Sequence, residues 1–163
     1  KIFRIPDYQR GYAWQSQQLR DFWEDIVNLQ SDRYHYTGLL SLKKLNQEES
    51  RKLGNEDSWL LQSGFKAYHI VDGQQRLTTF VIMLNEIIEF TCQLPDNIGK
   101  SYEEIYLGFE NIKDIKAKYI SRKRPPEDLI ITYMFGYEND NPSAEYLKYK
   151  VLGQEYGGTI KET

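Results

Sequence analysis

The five residues DGQQR, Asp72 to Arg76, stand between a β-branched apolar run and an amphipathic segment. The run AYHIV (67–71) predicts a strand and the segment after Gly73 predicts a helix, so the motif lies on a strand-to-helix turn. The first turn of a helix has backbone N–H groups without partners and the positive end of the helix dipole. Such a turn attracts anions, and the pattern therefore favours phosphate binding.

Each side chain of this turn has a chemical role in that interpretation. Gly73 lets a ligand approach the backbone because it has no Cβ, and Arg76 offers a permanently charged fork that matches phosphate oxygens. Gln74 and Gln75 can donate to phosphate or orient a water molecule. Asp72 can cap the helix, hold Arg76 or help to position a divalent ion. Hydroxyl groups follow on the next turn, at Thr78 and Thr79.

A purely structural interpretation of the pentapeptide stands beside this one. Asp-Gly before a polar first turn can be an ordinary helix cap, with Arg76 paired to Asp72, and short motifs match by chance. A second segment, IPDYQRGYAW (5–14), shifts the balance towards a binding site. Its aromatic residues, glutamine and arginine suit a planar base and a phosphate, through stacking and forked hydrogen bonds. The candidate residues in this segment are Tyr8, Gln9 and Arg10.

The two segments together resemble a known family. IPDYQRGYAW, followed by HYTGLL (35–40) and VDGQQRLTT (71–79), is similar to the signature of the DUF262 family. That family is the N-terminal domain of GmrSD-type modification-dependent restriction proteins and is itself similar to the ParB/sulfiredoxin superfamily. The resemblance is densest over residues 2–90. It extends less specifically over 91–163, where FGYENDNPSAEYLK (135–148) resembles a segment of some members.

The resemblance implies a nucleotide-binding, NTP-hydrolysing regulatory domain that is coupled to a separate C-terminal HNH-type nuclease and acts against foreign, often modified, DNA. Asp72, Gln74 and Arg76 would form the hydrolytic element, with Mg²⁺ as the expected helper. The chain has no Walker-type lysine loop, so binding without turnover stays open. His35 and His69 belong to no nuclease motif, so this chain is not expected to cut DNA. The remaining motif residues would contact the nucleoside triphosphate: Tyr8, Gln9, Arg10, Gly73, Gln75, Thr78 and Thr79.

Composition limits the other classes of function. A chain of 163 residues, 40% of them hydrophobic, predicts one domain with a buried core, and a formal charge of -3 provides no overall basic field for nucleic acid or anionic lipid. The single cysteine, Cys92, excludes an internal disulfide and suits a reducing compartment, so we expect a cytoplasmic location. No apolar stretch is long enough for a membrane span. Because the chain begins at Lys1, we expect a fragment of a longer protein.

The predicted architecture is an α+β domain over 1–163, with a small ParB/sulfiredoxin-like mixed sheet flanked by helices. Segment 46–66 is expected to be an exposed excursion pinned by Trp59, Leu60 and Leu61, and 120–128 a break. Ser16 is the expected N-cap of the first helix. Extended segments are predicted at 1–6, 36–45, 67–71 and 129–137, and helices at 16–30, after Gly73, from SYEE (101–104) towards 120, and within NPSAEYLKYKVL (141–152).

A second hypothesis is a non-enzymatic module that senses DNA or a modified group on it. KDIKAKYISRKR (113–124) concentrates six basic residues, and together with the aromatic segment from Tyr8 to Trp14 it offers contacts to a DNA backbone. A solvated helix face is the simpler interpretation of such a charge run. The two functional hypotheses differ in one observable, because the second predicts salt-dependent DNA binding without nucleotide.

Overall fold

The protein is an α+β domain built on a mixed sheet, and the structure, a computed structural model, describes residues 1–153. The strands are β1 (Ile2–Ile5), β2 (Ser41–Lys44), β3 (Ala67–Asp72), β4 (Tyr106–Leu107), β5 (Glu110–Asn111), β6 (Ser121–Lys123), β7 (Ile131–Tyr133) and β8 (Phe135–Tyr137). The helices are α1 (Ser16–Val27), α2 (Gln47–Arg51), α3 (Asn55–Gln62), α4 (Gln74–Gln93), α5 (Ile112–Ile115) and α6 (Ser143–Glu145). Two π-helical segments continue α5 and α6, at Lys116–Ile120 and Tyr146–Val151.

The central sheet has the strand order β2-β3-β1-β8. Strand β1 is parallel to both of its neighbours, with Arg4 opposite His69 of β3 and Gly136 of β8, whereas β2 is antiparallel to β3. Parallel strands end at the same edge of a sheet, and ligands commonly bind in open α/β sheets outside the carboxyl ends of the strands. The topology therefore brings together the segments that follow β1, β3 and β8.

Helix α4 builds the main core on one face of this sheet. Its buried Val81 and Ile88 belong to one apolar cluster with Ile5, Ile70 and Phe135 of the strands. Removing one such side chain from water contributes about 1.5–3 kcal/mol, so these contacts fix α4 against the sheet. The amphipathic character predicted after Gly73 is confirmed at these positions. The buried stripe is narrow, because Phe80 and Ile87 on the same helix are 44% and 37% exposed.

The opposite face packs against α3. The prediction that Trp59, Leu60 and Leu61 pin segment 46–66 is confirmed, but the segment is helical rather than an irregular excursion. Leu60 is 2% exposed and packs with Ile2 and Met134. Beside them Arg4 and Asp57 form a buried ion pair, in which Nη2 lies 2.6 Å from Oδ1. These partners lie far away in sequence, so the local polarity of the segment gave no sign of its two helices.

Three other boundaries differ from the predictions. No helix starts at SYEE: Ser101 does bond the Glu104 carboxylate in a capping-box manner, but a β4–β5 hairpin follows, with Gly108 at φ 66° in its turn. The helix begins only at Ile112. The predicted strand over 129–137 is two strands in different sheets, since β7 pairs with β6 inside the predicted break.

Helix α1 is confirmed, but it ends at Val27, and the prediction of Ser16 as the N-cap was wrong: Gln15 is the N-cap and Ser16 is the first helical residue. Its apolar stripe remains largely uncovered, with Trp23 and Val27 56% and 58% exposed. No helix within residues 1–153 combines the length and the apolar character that a bilayer span requires. The α+β class with a mixed sheet flanked by helices is confirmed, and the likeness to the ParB/sulfiredoxin fold stays a prediction.

Candidate functional site

The turn between β3 and α4 has the geometry of an anion cradle. Gly73 adopts φ 91° and ψ 8°, a left-handed conformation that a Cβ would strain. Its N–H donates to Oδ1 of Asp72 across 2.8 Å. The next amides, of Gln74, Gln75 and Arg76, have no hydrogen-bond partner among the described residues. They begin a helix of 20 residues, so the positive end of its dipole adds to three free donors.

Side chains of the two Gln-Arg segments meet above this turn. Nε2 of Gln74 donates to Oε1 of Gln9 across 3.2 Å, and Nε2 of Gln9 lies 3.4 Å from the carbonyl oxygen of Val71. In each of these two contacts the residues are more than sixty positions apart in sequence. The predicted convergence of the segment after β1 with the DGQQR turn is therefore present in the fold.

Gln75 fastens the loop after β1 to the first turn of α4. The side chain is buried at 7% exposure; its Oε1 accepts from the backbone N–H of Ala13 at 2.7 Å, and its Nε2 donates to the carbonyl of Gly11 at 3.0 Å. Both ends of the amide are thus satisfied by the loop. The geometry gives Gln75 a role in positioning the loop, and direct contact with a nucleotide stays a prediction.

The hydroxyls of Thr78 and Thr79 are also engaged within the protein. Each donates to the carbonyl one turn earlier in α4, at 2.8 Å and 2.9 Å. They therefore accept from tyrosine hydroxyls: Tyr137 at 3.2 Å from Thr78, and Tyr12 at 2.8 Å from Thr79. Burial raises the pKa of Tyr137, which keeps this phenol protonated. These threonines join α4 to β8 and to the loop after β1.

Arg76 contacts a segment that the sequence-based hypothesis left out of the site. Its Nη2 donates to the carbonyl oxygen of Leu39 across 2.6 Å. Gly38 has φ 100°, and a Cβ at that position would lie 2.8 Å from the guanidinium carbon of Arg76. The described part of the chain places no carboxylate in an ion pair with Arg76. The glycine in HYTGLL was the available signal for this contact.

Two other predicted residues are not brought to the turn. Tyr8 is 72% exposed and lines a different cavity, and Arg10 is exposed with no described partner. Of the three candidates after β1, only Gln9 reaches the DGQQR turn directly. For Tyr8 and Arg10 a role in nucleotide binding stays a prediction.

A cavity of about 640 Å³ lies beside β8 and is separate from the DGQQR turn, because Gly73, Gln74 and Arg76 do not line it. Within it Nε2 of His69 lies 2.7 Å from Oε1 of Glu138. Acidic side chains predominate in the lining, which disfavours a polyphosphate there. The charged residues of the lining are Arg4, Lys52, Lys148, Asp7, Glu49, Glu56, Asp57, Glu138 and Asp140.

Half of the basic side chains in 113–124 are neutralised by their surroundings. Lys113, Lys116 and Lys118 form ion pairs with Glu103, Glu89 and Glu110. Hydrogen bonds to these carboxylates raise the pKa of Lys113 and of Lys118. Half of the six basic side chains are therefore compensated, which weakens the argument for a DNA-binding surface here.

Comparison with known proteins identifies one family. The family model for the GmrSD restriction endonuclease, N-terminal domain, matches residues 1–159. The match covers the motif-bearing part of the chain and nearly all of the rest. A comparison with curated proteins gives no match.

Proposed function

Because the chain belongs to the family of GmrSD restriction endonuclease N-terminal domains, we propose that it binds and hydrolyses a nucleoside triphosphate whose phosphates lie at the turn between β3 and α4. Family membership indicates a part of a DNA restriction system. The proposal adds that the domain hydrolyses a nucleoside triphosphate and that it does so at the β3–α4 turn. In this role the domain regulates DNA restriction through its nucleotide state.

One observation carries the proposal: Arg76 and three free backbone amides stand at the same helix terminus, and among the described residues no carboxylate is hydrogen-bonded to any of these four groups. The carboxylate of Asp72 at this terminus accepts instead from the Gly73 amide. A fully buried guanidinium is normally paired with an acid, whereas Arg76 is partly exposed, so its charge is accessible to an anion from solvent. Here its described hydrogen-bond acceptor is the neutral carbonyl of Leu39. The other N–H donors of the guanidinium would form stronger, charge-assisted hydrogen bonds with phosphate oxygens, while the Leu39 carbonyl holds the side chain in place.

Hydrolysis also requires charge neutralisation and an oriented water. Arg76 and the amides of the first turn would supply the neutralisation, and the amide side chain of Gln74 would orient the water. Asp72 is exposed, and its Oδ1 accepts the Gly73 amide. Mg²⁺ is commonly held by one or two carboxylates together with phosphate oxygens, so Asp72 fits that role. No group of three or more potential metal ligands exists within residues 1–153, which is compatible with a metal held mainly by the nucleotide.

The proposal extends to the partners of the whole protein. A C-terminal HNH-type nuclease domain would act on foreign, modified DNA, and the nucleotide state of this domain would control it. The DNA-sensing alternative has less support, because its basic surface is half compensated by acidic side chains. The cytoplasmic location expected from the single cysteine stays a prediction.

The proposal is tested by titrating the purified protein with ATP, GTP, CTP and UTP in the presence of Mg²⁺. Binding is measured by calorimetry and turnover by phosphate release. Arg76→Ala is expected to weaken binding of the preferred nucleotide roughly tenfold to a hundredfold, since hydrogen bonds to charged groups contribute about 1.5–3 kcal/mol. Arg20→Ala, an exposed arginine on α1, is the matched control and should leave affinity unchanged. Absence of binding by the unmodified protein refutes the proposal.

A further inference from the structure

The loop after β8 holds the loop after β1 through a buried asparagine. Asn141 is 2% exposed, and its Nδ2 donates to the carbonyl of Gln9 across 2.9 Å and lies 3.5 Å from the carbonyl of Pro6. Its Oδ1 accepts from the backbone N–H of Ser143 at 3.0 Å. A buried primary amide with donors and acceptor all satisfied fixes the groups around it, because any displacement leaves a buried polar atom unpaired.

Ser143 makes the second contact between the two loops. Its Oγ accepts from the backbone N–H of Tyr12 at 3.0 Å. A Cβ on Gly11 would lie 2.4 Å from this oxygen, closer than real side chains approach. Gly11 is not among the glycines with positive φ. Its lack of a Cβ leaves room for the Ser143 hydroxyl in its present rotamer.

These contacts are linked to the proposed nucleotide site through the loop after β1. Asn141 and Ser143 hold the backbone of Gln9 and Tyr12, on either side of Arg10. The same loop is joined to α4 by Gln9 through Gln74, and by Gln75 through Gly11 and Ala13. The loop is thus held between α4 on one side and the loop after β8 on the other.

We propose that Asn141 and Ser143 are positioning residues of the nucleotide site, which set the backbone of residues 9–12 against the first turn of α4. The expected effect on nucleotide affinity rests on the proposed function. The expected effect on the position of the loop does not depend on a nucleotide. Neither side chain is expected to touch the ligand.

The test uses Asn141→Asp, which keeps the shape and the acceptor but replaces the donating NH₂ by an oxygen facing two carbonyl oxygens. Asn97→Asp is the matched control, because Nδ2 of Asn97 also donates to a backbone carbonyl, that of Thr91 at 2.9 Å, away from the site. Hydrogen exchange of the peptide containing residues 6–13 is measured first, without ligand. Nucleotide affinity is then measured with Mg²⁺ and the preferred NTP.

Asn141→Asp is expected to accelerate exchange in residues 6–13 and to weaken nucleotide binding about tenfold, the effect of losing one buried hydrogen bond. Asn97→Asp is expected to change neither quantity. Unchanged exchange at 6–13 would overturn the inference, and so would faster exchange with unchanged affinity. If the unmodified protein binds no NTP, the proposed function fails, and the affinity half of the inference fails with it, whereas exchange still decides whether the two residues position the loop.

A second set of variants separates positioning from general loss of stability. Gly11→Ala is expected to weaken nucleotide binding about tenfold, because the new methyl group pushes Ser143 and the loop apart. On a Ser143→Ala background the clashing oxygen is absent, so the same substitution should cost less than threefold. Ser143→Thr keeps the hydroxyl and should retain more affinity than Ser143→Ala. Equal effects of Gly11→Ala on both backgrounds would contradict the direct contact.

Discussion

The guanidinium of Arg76 donates through Nη2 to the carbonyl oxygen of Leu39 across 2.6 Å, next to the backbone of Gly38. This contact places the segment before β2 over the turn that carries DGQQR. The carbonyl is a neutral acceptor, so it holds the side chain in position without neutralising it. An anion that arrives at the turn meets a charged group already oriented by the fold.

Gly38→Ala tests this arrangement. The residue has φ 100°, and the new methyl group would come within 2.8 Å of the Arg76 guanidinium. The left-handed backbone alone costs about 1–2 kcal/mol with a Cβ present. The flexible end of Arg76 has to move as well, so we expect a severalfold loss of nucleotide affinity, measured by calorimetry.

Gly64→Ala provides the control for that experiment. Gly64 has φ 90°, but nothing lies within 4 Å of the position that a methyl group would occupy, so it shares the backbone strain and lacks the contact with Arg76. Both variants should lose similar free energy of unfolding in urea. Only Gly38→Ala should change the dissociation constant of the nucleotide. Equal affinities of the two variants would show that Arg76 does not depend on this segment.

Gln75→Glu is expected to destabilise the fold and to release the loop after β1. The substitution replaces the NH₂ that donates to the Gly11 carbonyl by a second oxygen, in a buried position. Leaving that carbonyl unpaired costs about 1–3 kcal/mol of the free energy of unfolding, measured by urea denaturation. Gln93→Glu, an exposed change on the same helix, should stay within about 0.5 kcal/mol of the unmodified protein. If both variants lost similar free energy of unfolding, Gln75 would not be the residue that holds the loop to α4.

Because of Tyr133, we expect the free energy of unfolding to fall in alkaline solution. Burial raises the pKa of its phenol from 10.0 to about 12. Between pH 10 and pH 12 the unfolded chain has released this proton while the folded protein keeps it, so the free energy of unfolding falls as pH rises. Tyr133→Phe should make this fall shallower in urea denaturation between pH 9 and pH 11.5. Tyr119→Phe, at a half-exposed ring, should leave the slope as it is, and an unchanged slope in both variants would contradict the assignment.

The sequence predicted those parts of the site that lie within a few residues of each other. Asp-Gly after a β-branched run indicated the strand-to-helix turn, and the structure has β3 end at Asp72 with Gly73 in the left-handed conformation. The approach of Gln9 to Gln74, 65 residues apart, did not follow from a local pattern; it was expected from assigning the two Gln-Arg segments to one site. Local patterns report backbone conformation well because turn residues and helix periodicity act over short distances.

Contacts between distant segments were the part that local patterns could not supply. Helix α3 is polar in sequence, yet Leu60 and Asp57 are buried by partners in β1 and next to β7. Likewise nothing near Asn141 indicates that its amide reaches the carbonyl of Gln9, because the parallel pairing of β1 with β8 creates that proximity. Burial in both places results from sheet topology, which sequence periodicity does not determine.

The central claim is that phosphates bind at the β3–α4 turn, and the most direct test is a crystal structure with the preferred NTP, as a non-hydrolysable analogue, and Mg²⁺. We predict phosphate oxygens within hydrogen-bond distance of the Arg76 guanidinium and of the amides of Gln74 to Arg76. A nucleotide bound instead in the acidic cavity beside His69 and Glu138 would contradict the account.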